Sequence, residues 1–129
     1  MKIRSKDYKK YFEWLKTSRV VQAYFNHRFK SDQLTIVGDL DLRDNEYIKE
    51  LVSVKSITGD LDLYNTPIKS LGNLESVGGN LYLWNTPIES LGNLRSVGGY
   101  LNLRDTPISK KMTEGEIRKM VNVKGKIYL

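Results

Sequence analysis

The pattern Gly-x-Leu-x-Leu-x-x-Thr-Pro-Ile returns along this chain at intervals of about 20 residues, and a chain with that period has few ways to fold. Copies begin at Gly59 (GDLDLYNTPIKSLGNLESVG), Gly79 (GNLYLWNTPIESLGNLRSVG) and Gly99 (GYLNLRDTPIS). A looser copy opens at Gly38 (GDLDLRDNEYIKELVSVKSIT) and is one residue longer, and the fragment Gly125 to Leu129 restores the beginning once more. A unit this short has no core of its own. Its apolar side is buried only by the units stacked on it, so four repeats and a terminal half-repeat predict a solenoid.

Within each unit one residue separates a pair of leucines, as in Leu61/Leu63, Leu81/Leu83 and Leu101/Leu103. That is the period of a strand with one buried face. Ile68, Ile88, Leu71, Leu91, Leu74, Leu94, Val77 and Val97 follow the coil as it returns, so stacking sets like residues in columns. Proline lacks an N–H, so each Thr-Pro-Ile marks the place where the strand has ended. The pairs Gly78-Gly79 and Gly98-Gly99 suit a second tight turn, including one that needs positive φ.

With these residues the chain resembles the leucine-rich repeat family, whose shared segment is Leu-x-x-Leu-x-Leu-x-x-Asn-x-Leu. Aligned on Leu81 and Leu83, the family's Asn falls on Thr86 and its last Leu on Ile88. The same register gives Thr66/Ile68 and Thr106/Ile108, and in the first copy the Asn position holds Asn45. Gly78 or Gly98 stands where the family has its first Leu. The resemblance covers residues 38–109 and the final fragment. It implies an α+β fold: a short leucine-rich-repeat-like solenoid with a parallel β-sheet whose outward face binds, and a hydroxyl ladder at the Thr positions in place of the asparagine ladder. A parallel β-helix of similar coil length is the alternative.

Both ends need closing, because a terminal coil exposes core and strand edge. From Ser5 onward, Tyr8, Tyr11, Phe12 and Leu15 share one helical face. Val21, Tyr24, Phe25 and Phe29 form a second stripe far round the cylinder, which predicts a break near Thr17-Ser18 with Ser18 as N-cap. At the other end, Thr113 and Glu116 have capping-box spacing before Ile117, Met120 and Val121, and Val123 leads to a closing strand at Ile127 and Leu129. Residues 1–129 therefore read as a single domain: a helical N-terminal cap (1–37), the repeats (38–109) and a helix-strand C-terminal cap (110–129).

Charge follows the same division. Residues 1–37 carry nine Lys/Arg against three Asp/Glu, residues 38–109 six against ten, and residues 110–129 six against two. Basic ends on an acidic middle make nucleic acid an alternative partner, through Lys2 to Lys16 and Lys110 to Lys126. There is no Cys, which excludes thiolate chemistry and Cys-ligated metal and fits a reducing, cytoplasmic setting. No 18-residue apolar run points to a membrane. The sole His, His27, lies in the cap, and Gly78-Gly79 lacks the Lys-Ser/Thr of a phosphate loop. No catalytic residue, cofactor or metal is assigned, and the chain is read as no enzyme.

Residues between and beside the leucines point outward and form three columns: Asp39, Asp60, Asn80, Tyr100 and Lys126; Asp41, Asp62, Tyr82, Asn102 and Tyr128; Arg43, Tyr64, Trp84 and Arg104. The partner-binding residues expected from them are Asp60, Asp62, Tyr64, Tyr82, Trp84, Tyr100, Asn102 and Arg104. Tyr, Trp and Arg are the types that most often carry binding energy at protein interfaces. Asp39, Asp41, Asp60 and Asp62 form a two-by-two grid of like charges, read as solvated with Arg43 near by, as facing a basic partner, or as holding a divalent cation. The function expected is a non-enzymatic protein-protein interaction module, monomeric or weakly self-associating. The Gly-Gly and Thr-Pro-Ile repeats resemble small repeat proteins of bacteria and phages, which implies an inhibitor or adaptor.

Overall fold

The computed structural model describes residues 2–15, 34–51 and 53–129. Their elements are β1 (Lys2–Arg4), α1 (Ser5–Leu15), β2 (Leu34–Val37), β3 (Leu40–Asp41), β4 (Val54–Ile57), β5 (Leu61–Asp62), β6 (Ser76–Val77), β7 (Leu81–Tyr82), β8 (Ser96–Val97), β9 (Leu101–Asn102), α2 (Pro107–Lys111), α3 (Glu114–Met120), β10 (Asn122–Val123) and β11 (Ile127–Tyr128).

The strands form two all-parallel sheets: one of six in the order β1-β2-β4-β6-β8-β10, and one of five in the order β11-β9-β7-β5-β3. Each coil gives a strand to both, so the chain is an α+β solenoid with two sheets rather than the single sheet implied by the resemblance. The second sheet lay hidden in Ser76-Val77 and Ser96-Val97, because two residues are too few to display a period. Stacking is in register: Leu61 pairs with Leu81 and Leu81 with Leu101, while Val77 pairs with Ile57 and Val97. The longer first copy keeps this register by adding its residue between Asp44 and Lys49. Asn65 meets Asp44 at an offset of 21, as Leu61 meets Leu40, whereas Ser70 pairs with Glu50 and Lys69 N–H donates to Lys49 O at an offset of 20.

The expected columns make the core. Leu40/Leu61/Leu81/Leu101, Leu42/Leu63/Leu83/Leu103 and Ile48/Ile68/Ile88/Ile108 are all buried, as are Leu71, Leu74, Leu91, Leu94, Val77 and Val97. Burying one such side chain contributes roughly 1.5–3 kcal/mol, and here each is buried by its own copies above and below.

The turns depart from the expected chemistry in two ways. Positive φ falls on Asn65 (55°), Asn85 (57°) and Asp105 (53°), just before each Thr-Pro-Ile, and on Gly72 and Gly92, not on the Gly-Gly pairs. Nor do the threonines ladder between coils. Thr66, Thr86 and Thr106 are buried and donate to the carbonyls of Leu63, Leu83 and Leu103 in their own coil, at 2.8, 2.7 and 2.6 Å. The ladder runs one residue earlier: Asn85 Nδ2 donates to Asn65 Oδ1 at 2.9 Å, and Asn65 Nδ2 to Asp44 Oδ1 at 2.8 Å. Asn tolerates the left-handed region and carries both donor and acceptor, so one residue type meets both demands.

At the first end, α1 packs against β1, β2 and β3, and Tyr8 is fully buried. β1 was not foreseen; a short edge strand bearing exposed Lys2 and Arg4 blunts that edge. The side chains of Tyr11, Phe12 and Leu15, the break near Thr17-Ser18, the second stripe and His27 lie outside the described residues. At the other end, Thr106 caps α2 and Thr113 forms the expected capping box with Glu116 at the start of α3. Ile117 and Val121 enter the core, but Met120 is 55% exposed. Among the described residues no helix is long and apolar enough to cross a membrane.

Candidate functional site

The outer side of the five-stranded sheet gathers the expected residues, and their surroundings separate those that build the turn from those that face outward. Asp39, Asp60 and Asn80 stand at the corner between the sheets. Each turns its Oδ1 to the next coil, accepting the backbone N–H of Asp60 (2.8 Å), Asn80 (2.7 Å) and Tyr100 (2.8 Å). This second ladder explains the glycines beside it. A Cβ on Gly59, Gly79 or Gly99 would lie 2.1, 2.0 or 2.0 Å from those Oδ1 atoms. The residues beside the acceptors are glycine because a side-chain oxygen occupies the space.

Asp41, Asp62 and Asn102 use Oδ1 differently, accepting the N–H two residues on, from Arg43 (3.1 Å), Tyr64 (3.0 Å) and Arg104 (3.1 Å). Asn102 is only 8% exposed, so its amide serves the turn and supports the face from beneath. Asp41 pairs directly with Asp62 across β3 and β5. Arg43 bridges them, with Nη2 at 3.0 Å from Asp41 Oδ2 and Nε at 3.5 Å from Asp62 Oδ2. Burial and then the repulsion of Asp41 raise the Asp62 carboxyl, against the Tyr64 N–H and the Arg43 charge. Asp41 meets a like desolvation, but its hydrogen bonds and charge contact with Arg43 outweigh it and hold the carboxyl below its usual value. Arg43 thus offsets the Asp41–Asp62 half of the grid, while Asp39 and Asp60 turn an oxygen to backbone N–H groups. Among the described residues no three His, Cys, Asp or Glu side chains stand close enough to hold a metal ion.

The aromatic groups occupy the middle and far end of the face. Trp84 is 39% exposed and Tyr100 45%. Tyr64 and Trp84 meet with ring centroids 5.2 Å apart and planes at 56°, and Tyr100 meets Tyr128 edge-on at 6.0 Å. Arg104 lays its guanidinium over the Tyr128 ring at 4.6 Å. Tyr82 accepts a hydrogen bond from Asn80 Nδ2 through its hydroxyl at 3.0 Å. Trp84 Nε1 donates to Asp105 Oδ2 at 2.9 Å, which fixes the indole. Sequence reasoning passed over Asp105 and left Tyr128, placed in an outward column, out of the partner-binding set; the signal for Asp105 was its place in the Asp44-Asn65-Asn85 series. Of the expected set, Tyr64, Tyr82, Trp84, Tyr100 and Arg104 come together as one surface, with Asp60 and Asp62 along its first edge.

A shallow hollow of ≈ 360 Å³ lies over the other sheet, lined by small residues such as Ser56, Ser76, Ser96, Gly78 and Gly98 together with Lys124. No family model, curated protein or solved structure matches the chain.

Proposed function

We propose that this protein is a non-enzymatic binding module that holds a protein partner on the outer side of its five-stranded sheet. The observation that carries the reading is one of contrast. Inward positions repeat from coil to coil, whereas the outward position after the second leucine runs Arg43, Tyr64, Trp84 and Arg104. Aromatic and guanidinium groups fixed by ring contacts lose little freedom when covered, which suits a binding surface. The leucine-rich-repeat-like pattern, the likeness to small bacterial and phage repeat proteins, and the reducing setting implied by the lack of Cys support an intracellular inhibitor or adaptor.

Affinity capture from the source cell with wild type and with Tyr82→Ala/Trp84→Ala is the test. The double variant is expected to lose the partner; equal retention by both proteins sinks the assignment. The second reading, nucleic-acid binding, is favoured by the exposed Lys2, Arg4, Lys6, Lys9 and Lys10 on β1 and α1. It predicts a gel shift that weakens steeply as salt rises, and no retardation at low salt removes it.

A further inference from the structure

The outward face is not uniform along the solenoid axis, and its asymmetry has a definite form. β7 is the middle strand of the five, with β3 and β11 at the two ends. From the β3 end to the β11 end, the corner column runs Asp39, Asp60, Asn80, Tyr100, Lys126. The acidic end also carries Asp41 and Asp62, tempered by Arg43 and by Lys9 of α1. The far end carries Arg104 and Lys126, both exposed. Negative and positive ends therefore sit at equal distances from an aromatic centre.

We propose that this face pairs with a second copy of the chain, the two solenoid axes antiparallel and the twofold axis lying along β7. The inference rests on the protein-binding reading and names the partner. In that arrangement columns lie over like columns and the strand order is reversed. Asp39 faces Lys126 of the other copy, Asp60 faces Tyr100, and Tyr64 faces Arg104, whose guanidinium lies over the Tyr128 ring of its own chain. Tyr82 and Trp84 meet their own counterparts at the centre, where interface aromatics contribute most. Each contact occurs twice, as an isologous interface requires. Turning one copy end for end would reverse the columns as well and set Asp41 and Asp62 against their own counterparts, so like charges disfavour the parallel register. Five strands by three columns give a face of roughly 20 by 13 Å. That is about a third of the ~800 Å² per side of a standard complex, so the pairing is reversible and concentration-dependent.

Sedimentation of the intact chain from about 10 µM to about 1 mM at low salt tests this. The expected result is a mass rising from 14.9 kDa toward twice that value. Trp84→Ala and Lys126→Glu, each checked for folding by circular dichroism, are expected to weaken association at least about tenfold, as is salt at about 0.5 M. Because the chain has no Cys, introduced thiols report the register cleanly. Under oxidation Tyr64→Cys mixed with Arg104→Cys is expected to give a covalent dimer that neither variant gives alone. A monomer at every concentration, or Tyr128→Cys cross-linking to itself, overturns the proposal. Wild type that stays monomeric yet holds another protein, lost on Tyr82→Ala/Trp84→Ala, ends the second-copy inference and leaves the binding reading standing. A dimer indifferent to Trp84→Ala overturns the use of this face for pairing.

Discussion

Gly79 and Asp60 depend on each other. The Asp60 carboxylate reaches across to the N–H of Asn80, and a Cβ on Gly79 would meet it at 2.0 Å. Gly79→Ala is therefore expected to destabilise by about 1–3 kcal/mol, largely through displacement of that acceptor and loss of its hydrogen bond. Asp60→Ala removes the obstacle, so the costs of Gly79→Ala and Asp60→Ala are expected to be less than additive in a double-mutant cycle read by urea denaturation. Additive costs would show that the crowding lies in the backbone. Gly78 gives the contrast, since a Cβ there would stand 2.1 Å from the carbonyl oxygen of Thr58, which no side-chain change relieves.

At the β10 end of the stack, α3 supplies donors to carbonyls that in the other coils accept from the next coil. Arg118 Nη1 donates to Val123 O at 2.7 Å and Nη2 to Gly125 O at 3.0 Å, while Glu114 holds the guanidinium in place. A capped helix is thus turned into the closing device of a sheet edge. Arg118→Met keeps much of the apolar stem and removes these donors, and is expected to cost about 1 kcal/mol. Because coils touch only their neighbours, the effect should be local. Hydrogen exchange is expected to quicken at Lys124 and Gly125, whose N–H groups donate to Val97 and Gly99, and to stay unchanged at Leu61. Uniform quickening along the chain would show instead that the whole stack opens as one.

For the molecule as a whole, the middle coil is the one both halves lean on. Leu83 is fully buried, and its N–H donates to Asn102 O while Leu63 N–H donates to Tyr82 O on the other side. Leu83→Ala is expected to cost about 2–5 kcal/mol and to lower the exchange protection of both amides. A loss confined to one side would mean that the two halves fold as separate units.

Repetition made the solenoid legible from the sequence: the leucine and isoleucine columns, the outward columns, and the Thr113-Glu116 cap all stand where the period and local spacing put them. These features depend on neighbours a few residues apart or one period apart, and both distances are visible in a linear chain. Three things were decided only when the coils met in space. Ser-Val pairs too short to show alternation became a second sheet. The ladder settled on Asn65 and Asn85, because their φ turns the amide toward the next coil while the threonine hydroxyl turns back into its own. The aspartates of the grid were divided among backbone N–H groups and Arg43, since each oxygen's partner is set by distances across coils. The sequence alone thus determined which side of each strand faces out; tertiary contacts decided which of those outward groups are already occupied and which, such as Trp84 and Tyr100, still offer surface.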